Sequence, residues 1–209
     1  MMILSDFHMH THNSQDSDAP MKSMIEASID KGLKYICFTE HMDYDFPYDN
    51  PADPDSYGNP KAFQVDTDDY LEEYLKMRDE YKERIALRFG IELGLQPHLA
   101  KTLSDYVDSY PFDFIIASTH LVDRKDVYYP GFFEGRSEDE CYRRYFEATL
   151  ENVTAFSDYD VYGHLDYIVR YGPNRDKFYS YKKYGDIIDE ILKKIIEAGH
   201  GIEINTGAF

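Results

Sequence analysis

The chain has 209 residues, of which 43% are hydrophobic and 16% aromatic, so it is long and apolar enough for one substantial domain and is not a disordered chain. Its net charge of −18, from 40 acidic and 22 basic side chains, argues against a nucleic-acid partner because such a surface repels phosphate backbones. The two cysteines, Cys37 and Cys141, lack the spacing of a metal site or a disulfide framework. Without a signal peptide or a membrane-length apolar run, the sequence predicts a cytoplasmic protein with no membrane partner.

Short apolar segments alternate with longer amphipathic segments along the chain. Pro20 and Gly32 bracket the first predicted helix, and Ser137 with Glu140 forms a capping-box pattern at another. An acidic, proline-rich stretch at 43–66 predicts a long surface loop. The predicted strands span residues 3–8, 35–39, 87–93, 112–118, 161–168 and 201–205, and the predicted helices span 21–31, 68–84, 97–110, 137–156 and 184–198.

This alternation predicts an α/β fold with a parallel sheet covered by helices. The sheet could be open and doubly wound, or it could be a barrel. No glycine-rich phosphate loop follows the first strand, which argues against a dinucleotide-binding sheet. Polar residues at the strand ends favour a barrel, because the chemistry of parallel barrels gathers at the C-terminal ends of the strands.

Each of the six predicted strands ends in histidine, a carboxylate or asparagine. One histidine in a strand is more often a hydrogen-bonded core residue than a metal ligand. Five imidazoles and a carboxylate on successive strand ends are hard to explain as packing, because each unpartnered buried polar group costs about 1–3 kcal/mol. In chain order the residues are His8 and His10, Glu40 and His41, Glu92, His120, His164 and Asp166, and Glu203 and Asn205.

Metal ions would satisfy these groups together. Histidine and carboxylate ligands without thiolates suit zinc, manganese or iron. The ligands exceed one tetrahedral site, so we expect two to three divalent ions with Glu92 as the bridge, an arrangement that mostly hydrolyses phosphoesters and amides. We expect His98 and His200 to be surface residues, whereas His12 is ambiguous.

With these residues in place, the sequence resembles the PHP (polymerase and histidinol phosphatase) family, and its histidinol-phosphatase branch in particular. The likeness covers essentially the whole chain, and the stretch from Gly163 to Tyr171 looks most like this branch. The resemblance implies that residues 1–209 form a single PHP-type metallophosphoesterase domain, a distorted (β/α)7-type barrel with about six strands here. The motifs are Asp6-x-His8-x-His10-Thr11, Thr39-Glu40-His41, Gly90-x-Glu92, Ser118-x-His120 and Gly163-His164-x-Asp166.

The resemblance also implies roles for the site residues. His8, His10 and Glu92 would hold one metal, and Glu92 and His120 a second. His41, His164 and Asp16 would complete the second and third sites, with the turn Ser14–Asp18 as the alternative explanation for Asp16. Arg170 is the first choice for contacting phosphate and Arg136 a weaker one. The expected catalytic residues are Glu92, His120 and Arg170.

The resemblance implies hydrolysis of L-histidinol phosphate to L-histidinol and phosphate by a metal-bound hydroxide. The family's final Asp-x-His motif on a seventh strand does not appear, so we expect an incomplete barrel with an exposed strand edge that could form a homo-oligomer. Two alternatives stay open. One is a PHP phosphoesterase for another small phosphorylated metabolite, and the other is a metal-binding remnant without catalysis.

Overall fold

A computed structural model describes residues 3–51, 53 and 56–205. The strands are β1 (Ser5–Met9), β2 (Tyr35–Met42), β3 (Ala86–Gly94), β4 (Phe114–Ser118), β5 (Leu121–Val122), β6 (Lys125–Asp126), β7 (Val161–Tyr162) and β8 (Gly201–Ile202). The α-helices are α1 (Met21–Asp30), α2 (Thr67–Tyr81), α3 (Ala100–Asp108), α4 (Glu138–Ala155) and α5 (Tyr181–Glu197). Short 3-10 helices lie at Pro97–Leu99, Pro130–Phe132, Tyr167–Arg170 and Arg175–Phe178.

Six strands form one parallel sheet in the order β1-β2-β3-β4-β7-β8, while β5 and β6 form a separate antiparallel hairpin. Each strand of the sheet pairs with the next one along the chain, as expected when helices connect parallel neighbours. The sheet curls into a half-barrel whose edges are β1 and β8. The predicted α/β barrel-type architecture with about six strands is therefore confirmed.

Local sequence explains the helices. The Asp66 side chain accepts a hydrogen bond from the Asp69 backbone and so caps α2, and Ser137 and Glu140 form the predicted capping box of α4. In α5, apolar side chains recur three and four residues apart and pack on the core. Among the described residues, no helix combines the length and hydropathy that a membrane span requires.

The central strands are held tightly. The Tyr70 hydroxyl of α2 donates to the backbone carbonyls of Phe38 (2.8 Å) and Gly90 (3.1 Å), which ties the helix to two neighbouring strands. Gly90 is required at this crossing, because a Cβ atom there would lie 2.6 Å from the Cys37 sulfur. Cys37 is fully buried, as its apolar surroundings in the sequence predict.

Strand lengths differ from the sequence prediction on one side of the sheet. The predicted strand 161–168 is regular only at Val161–Tyr162, and the predicted strand 201–205 only at Gly201–Ile202. After Gly163 the chain turns instead, and the Tyr167 backbone donates to the His164 carbonyl (2.8 Å) at the start of a 3-10 helix. The β5–β6 hairpin was not predicted. Its turn residues Asp123 and Arg124 have φ angles of 52° and 61°, which an ordinary strand or loop pattern does not signal.

Candidate active site

A single carboxylate, Glu92 on β3, lies at the centre of the histidine cluster. Its side chain is fully buried, and five imidazoles approach it from four other segments of the chain. Its Oε2 atom lies 3.1 Å from His8 Nε2, 3.4 Å from His10 Nε2 and 3.4 Å from His41 Nδ1. Its Oε1 atom lies 3.2 Å from His120 Nε2 and 2.9 Å from His164 Nε2.

The register of the parallel sheet creates this cluster. His41 of β2 pairs directly with Glu92 of β3, so the two residues lie side by side near the C-terminal ends of their strands. His8 and His10 are two residues apart and therefore point to the same face of the first strand. His120 follows the end of β4 and His164 follows β7, so both reach the cluster from turns just beyond their strands.

The residues present fit bound metal ions. His164 Nδ1 is buried without a hydrogen-bond partner, and Glu92 Oε2 accepts no well-directed hydrogen bond although three imidazole nitrogens lie 3.1, 3.4 and 3.4 Å away. Buried polar atoms are normally satisfied. Three groups have ligand atoms within 4.8 Å of one another, and each has the imidazole and carboxylate donors that zinc-like ions prefer. The groups are His8–Glu92–His164, His10–Asp16–His41 and His41–Glu92–His120. Together they contain all seven predicted ligands and no others among the described residues.

A second layer of carboxylates holds the histidines. Glu203 Oε1 lies 2.6 Å from His8 Nδ1, and Glu203 Oε2 accepts the backbone N–H of His164 (2.9 Å). Asp43 contacts the Nδ1 atoms of both His120 (2.6 Å) and His41 (3.2 Å). In the sequence analysis, Glu203 was identified as a polar strand end, but Asp43 was not identified. Asp43 could have been found from its position two residues after His41, because residues two apart on a strand point to the same face.

A third buried carboxylate, Glu40, supports the first loop rather than the imidazoles. It accepts the backbone N–H of Thr11 and the hydroxyl groups of Thr11 and Ser14. Ser14 contacts His10 Nδ1 (3.4 Å), and its hydroxyl oxygen accepts the backbone N–H of His41. Glu40 therefore fixes the loop that leads from His10 to Asp16.

Electrostatics divide the imidazoles of the metal-free cluster into two kinds. Burial lowers the pKa of His8 and of His41, but Glu92 and other nearby carboxylates outweigh it and raise each pKa to about 10. The other carboxylates are Glu203 for His8 and both Asp16 and Asp43 for His41. Burial and the neighbouring His41 lower the pKa of His10 to about 3. Metal binding must displace the protons of His8 and His41, so metal uptake is linked to proton release.

A cavity of about 530 Å³ opens over one side of the cluster. Its inner end is formed by Asp16, His41, Asp43 and His120, with Tyr167 packed beside His120 (5.7 Å between ring centroids). The wall farther from the cluster, called the outer end, contains Asp53, Asp126 and three further tyrosines. The tyrosine rings form a continuous row from the cluster outwards, with centroid separations of 4.9 Å from Tyr167 to Tyr171 and 4.8 Å from Tyr171 to Tyr128. Aspartate supplies every carboxylate of the wall, and the described residues lining it include no lysine or arginine.

The predicted phosphate-binding arginines lie outside this wall. Arg170 is half-buried, donates from Nη2 to Asn205 Oδ1 (2.9 Å), and has a buried Nε atom without a partner. Asn205 donates in turn to Glu203 (3.2 Å), so Arg170 is connected to His8 through two polar residues. Arg136 stacks over the Phe132 ring and lies 3.8 Å from an Asp123 carboxylate oxygen, without a contact to the cluster.

The remaining histidines lie apart from the cluster. His98 is exposed and pairs with Asp45 (3.0 Å), as expected for a surface residue. His12, which was ambiguous, is exposed near Glu73 (3.5 Å). The surface expectation for His200 is wrong in part, because its ring packs 4.2 Å from that of Tyr159 and its Nε2 atom is buried.

Comparison with known proteins agrees with this geometry. Residues 6–207 match the sequence profile of the PHP domain. A histidinol-phosphatase from Lactococcus lactis is 34% identical over 98% of this chain and 72% of its own length, and a probable histidinol-phosphatase from Clostridium acetobutylicum is 31% identical over 98% and 73%.

Two solved structures resemble the fold. The crystal structure of the Lactococcus lactis enzyme, complexed with zinc, L-histidinol and phosphate, superposes with a TM-score of 0.87 over 97% of this chain and 73% of that chain, at 34% identity. A putative histidinol phosphatase from Listeria monocytogenes, 12% identical, shares the fold with a TM-score of 0.75 over 97% and 82%. From its motifs, its sheet and these relatives, the chain belongs to the PHP (polymerase and histidinol phosphatase) domain family.

Proposed function

We propose that this chain is a metal-dependent phosphatase that hydrolyses L-histidinol phosphate to L-histidinol and phosphate, with residues 1–209 acting as one domain. The observation that carries the proposal is the buried Glu92 carboxylate facing five imidazoles beside a cavity. The 34% identical Lactococcus lactis protein, whose structure contains zinc, L-histidinol and phosphate, supports this substrate.

We propose two to three divalent ions, of zinc, manganese or iron, held by His8, His10, Asp16, His41, Glu92, His120 and His164. The two oxygens of Glu92 face different imidazoles, and Glu92 would contribute to two of the three ligand groups. His41 has its Nε2 atom 3.5 Å from Asp16 Oδ2, so we assign it to the group with His10 and Asp16. Bound divalent ions supply the activated water and the positive charge that phosphoester hydrolysis requires.

The chain's own side chains would orient the two ends of the substrate. The described cavity wall has no basic residue that could attract a phosphate, so we place the phosphate at the inner end, near the ligand groups that would hold the metal ions. The outer end suits the imidazole and ammonium of histidinol, because a carboxylate and aromatic faces both attract cations. Of the predicted catalytic residues, Glu92 and His120 would act as ligands. Arg170 stays the proposed phosphate contact, because its guanidinium carbon lies 5.7 Å from the ring centroid of Tyr167, which lines the cavity.

Two other expectations stay predictions. The sheet edges are β1 and β8, and Ile202 of β8 is 50% exposed, which suits the expected homo-oligomer through a strand edge. The cytoplasmic location also stays a prediction.

The test is an assay of the metal-loaded chain on three substrates: histidinol phosphate, a sugar phosphate and a phosphodiester. We expect the highest kcat/KM on histidinol phosphate, because among the three substrates only its leaving alcohol, histidinol, carries positive charge. We also expect Glu92→Gln to abolish the activity. Higher kcat/KM on the sugar phosphate would refute the assigned substrate. Metal uptake without hydrolysis of any ester would identify the chain as a metal-binding protein without this activity.

A further inference from the structure

One buried carboxylate contacts two imidazoles of the cluster without belonging to any of the three ligand groups. Asp43 is 1% exposed and follows the end of β2. Its Oδ1 atom lies 2.6 Å from His120 Nδ1, and its Oδ2 atom lies 3.2 Å from His41 Nδ1. Both oxygens are thus occupied by ring nitrogens of His120, which lies in the group with Glu92, and of His41, which lies in that group and also in the one with His10 and Asp16.

These contacts determine where the ring protons lie. A carboxylate accepts hydrogen bonds, so each Nδ1 atom must carry its proton towards Asp43. The nearest other carboxylate atom, Glu92 Oε2, lies 3.4 Å from His41 Nδ1 and makes no hydrogen bond with it. Each ring then keeps its Nε2 lone pair for a metal. His120 Nε2 faces Glu92 (3.2 Å) and His41 Nε2 faces Asp16 (3.5 Å).

We propose that Asp43 is a positioning residue that fixes His41 and His120 in the Nδ1–H form, so that one side chain makes two metal groups competent together. The inference rests on the metal binding in the proposed function. Partners of this kind, which hold a metal-binding histidine through its second nitrogen, commonly change metal affinity 10- to 100-fold when mutated.

A neighbouring glycine makes room for this carboxylate. A Cβ atom on Gly94, the last residue of β3, would lie 1.9 Å from Asp43 Oδ1 and 2.5 Å from its Cγ. The three nearest atoms to this Cβ all belong to Asp43. Gly94→Ala therefore displaces Asp43 without altering a ligand, and it gives a second route to the same defect.

The decisive variant is Asp43→Asn, which keeps the shape but replaces one acceptor oxygen by an NH₂ donor. One of the two histidines then faces a donor and must move its proton to Nε2, where it blocks the metal. We expect one ion of the set to bind 10- to 100-fold more weakly in zinc titrations against a chromophoric chelator. We also expect the ring ¹⁵N signals of the zinc-loaded parent to show His41 and His120 as Nδ1–H imidazoles, and those of the zinc-loaded variant to lack this form in one of the two.

The matched control is Asp45→Asn, the same substitution beside His98, where both side chains are exposed. It should leave zinc affinity unchanged. If Asp43→Asn binds zinc as the parent does, or only lowers the melting temperature, Asp43 is merely structural and the inference is overturned. If the parent chain itself takes up no metal, the proposed function fails instead, so the two failures are distinguishable.

Discussion

The two ends of the cavity are built from different kinds of structure. At the inner end, His41 of β2 lines the cavity and pairs with the buried Glu92 of β3, so their spacing follows from the sheet register. At the outer end, Asp126 and Tyr128 come from the β5–β6 hairpin and the loop after it. The inner end surrounds its central carboxylate with imidazoles, whereas Asp126 accepts one backbone hydrogen bond, from Tyr128 (2.8 Å). The difference suggests that the sheet fixes the chemistry and the loops select the substrate, the usual division in parallel barrels.

The largest loss of metal binding and activity should come from substituting Glu92. Glu92→Gln replaces the carboxylate that all five imidazoles face by a neutral amide, so we expect loss of most bound metal and a fall in kcat of about 10³-fold or more. Metal content by elemental analysis and turnover of histidinol phosphate measure both effects. His12→Ala, which removes an exposed imidazole outside the cluster, is the control and should change neither. Retention of full metal content in Glu92→Gln would show that the cluster is not organised around this residue.

The same division explains what sequence alone could predict. Strand parity and the common C-terminal ends of parallel strands were sufficient to bring His8, His41 and Glu92 together, because these three lie on paired strands. His10 and His120 could be added because each lies only one or two residues beyond its strand. His164 was predicted on a strand but lies in a turn, since β7 ends two residues earlier. The position of Asp126 depends on a hairpin with two left-handed turn residues, and that conformation has no periodic signal.

Arg170 tests whether a residue outside the three ligand groups contacts the phosphate. If its guanidinium contacts the phosphate, Arg170→Ala should lower kcat/KM by about 10²–10³-fold while metal content is unchanged. Arg84→Ala is the matched control, because its exposed guanidinium donates twice to Glu26 and lies outside the cavity wall. Equal activity of both variants would remove Arg170 from the site, and metal loss in Arg170→Ala would assign it to the Asn205–Glu203 network instead.

Glu203 tests the side of the histidine cluster next to the two-residue strands β7 and β8. There, side-chain hydrogen bonds rather than long strand pairing hold the histidines in place. Glu203 joins His8 Nδ1 to the His164 backbone, and Glu203→Gln turns one of its acceptors into a donor. We expect zinc affinity to fall about 10- to 100-fold with little change in fold, measured by chelator competition. Glu73→Gln makes the same change beside His12, which is outside the cluster, and should have no effect. Similar losses in both variants would mean that the effect is a general change in charge.

The outer end predicts a smaller effect that depends on pH. Burial raises the pKa of Asp126 to about 6, so the side chain is ionised at pH 7.5 and mostly neutral at pH 5. If the carboxylate attracts the cationic end of the substrate, Asp126→Asn should raise KM about 3- to 10-fold at pH 7.5, the range for a partly exposed ion pair. The ratio of variant to parent KM should approach one at pH 5, where the parent has also lost the charge. Metal content and kcat should stay close to the parent values, because Asp126 belongs to none of the ligand groups.

Stability provides an independent check on the same residue. The folded-state pKa of about 6 lies above the ordinary value of 3.8, so the fold favours the neutral acid. The contribution of Asp126 to stability is therefore complete below pH 3.8 and is lost as the pH rises through 6. Asp126→Asn should raise the melting temperature of the metal-free protein at pH 7.5 relative to the parent, and by less at pH 5. If Asp126→Asn raises the melting temperature at pH 7.5 but leaves KM unchanged, Asp126 is not a substrate contact. The selectivity of the outer end would then depend on the tyrosine row alone.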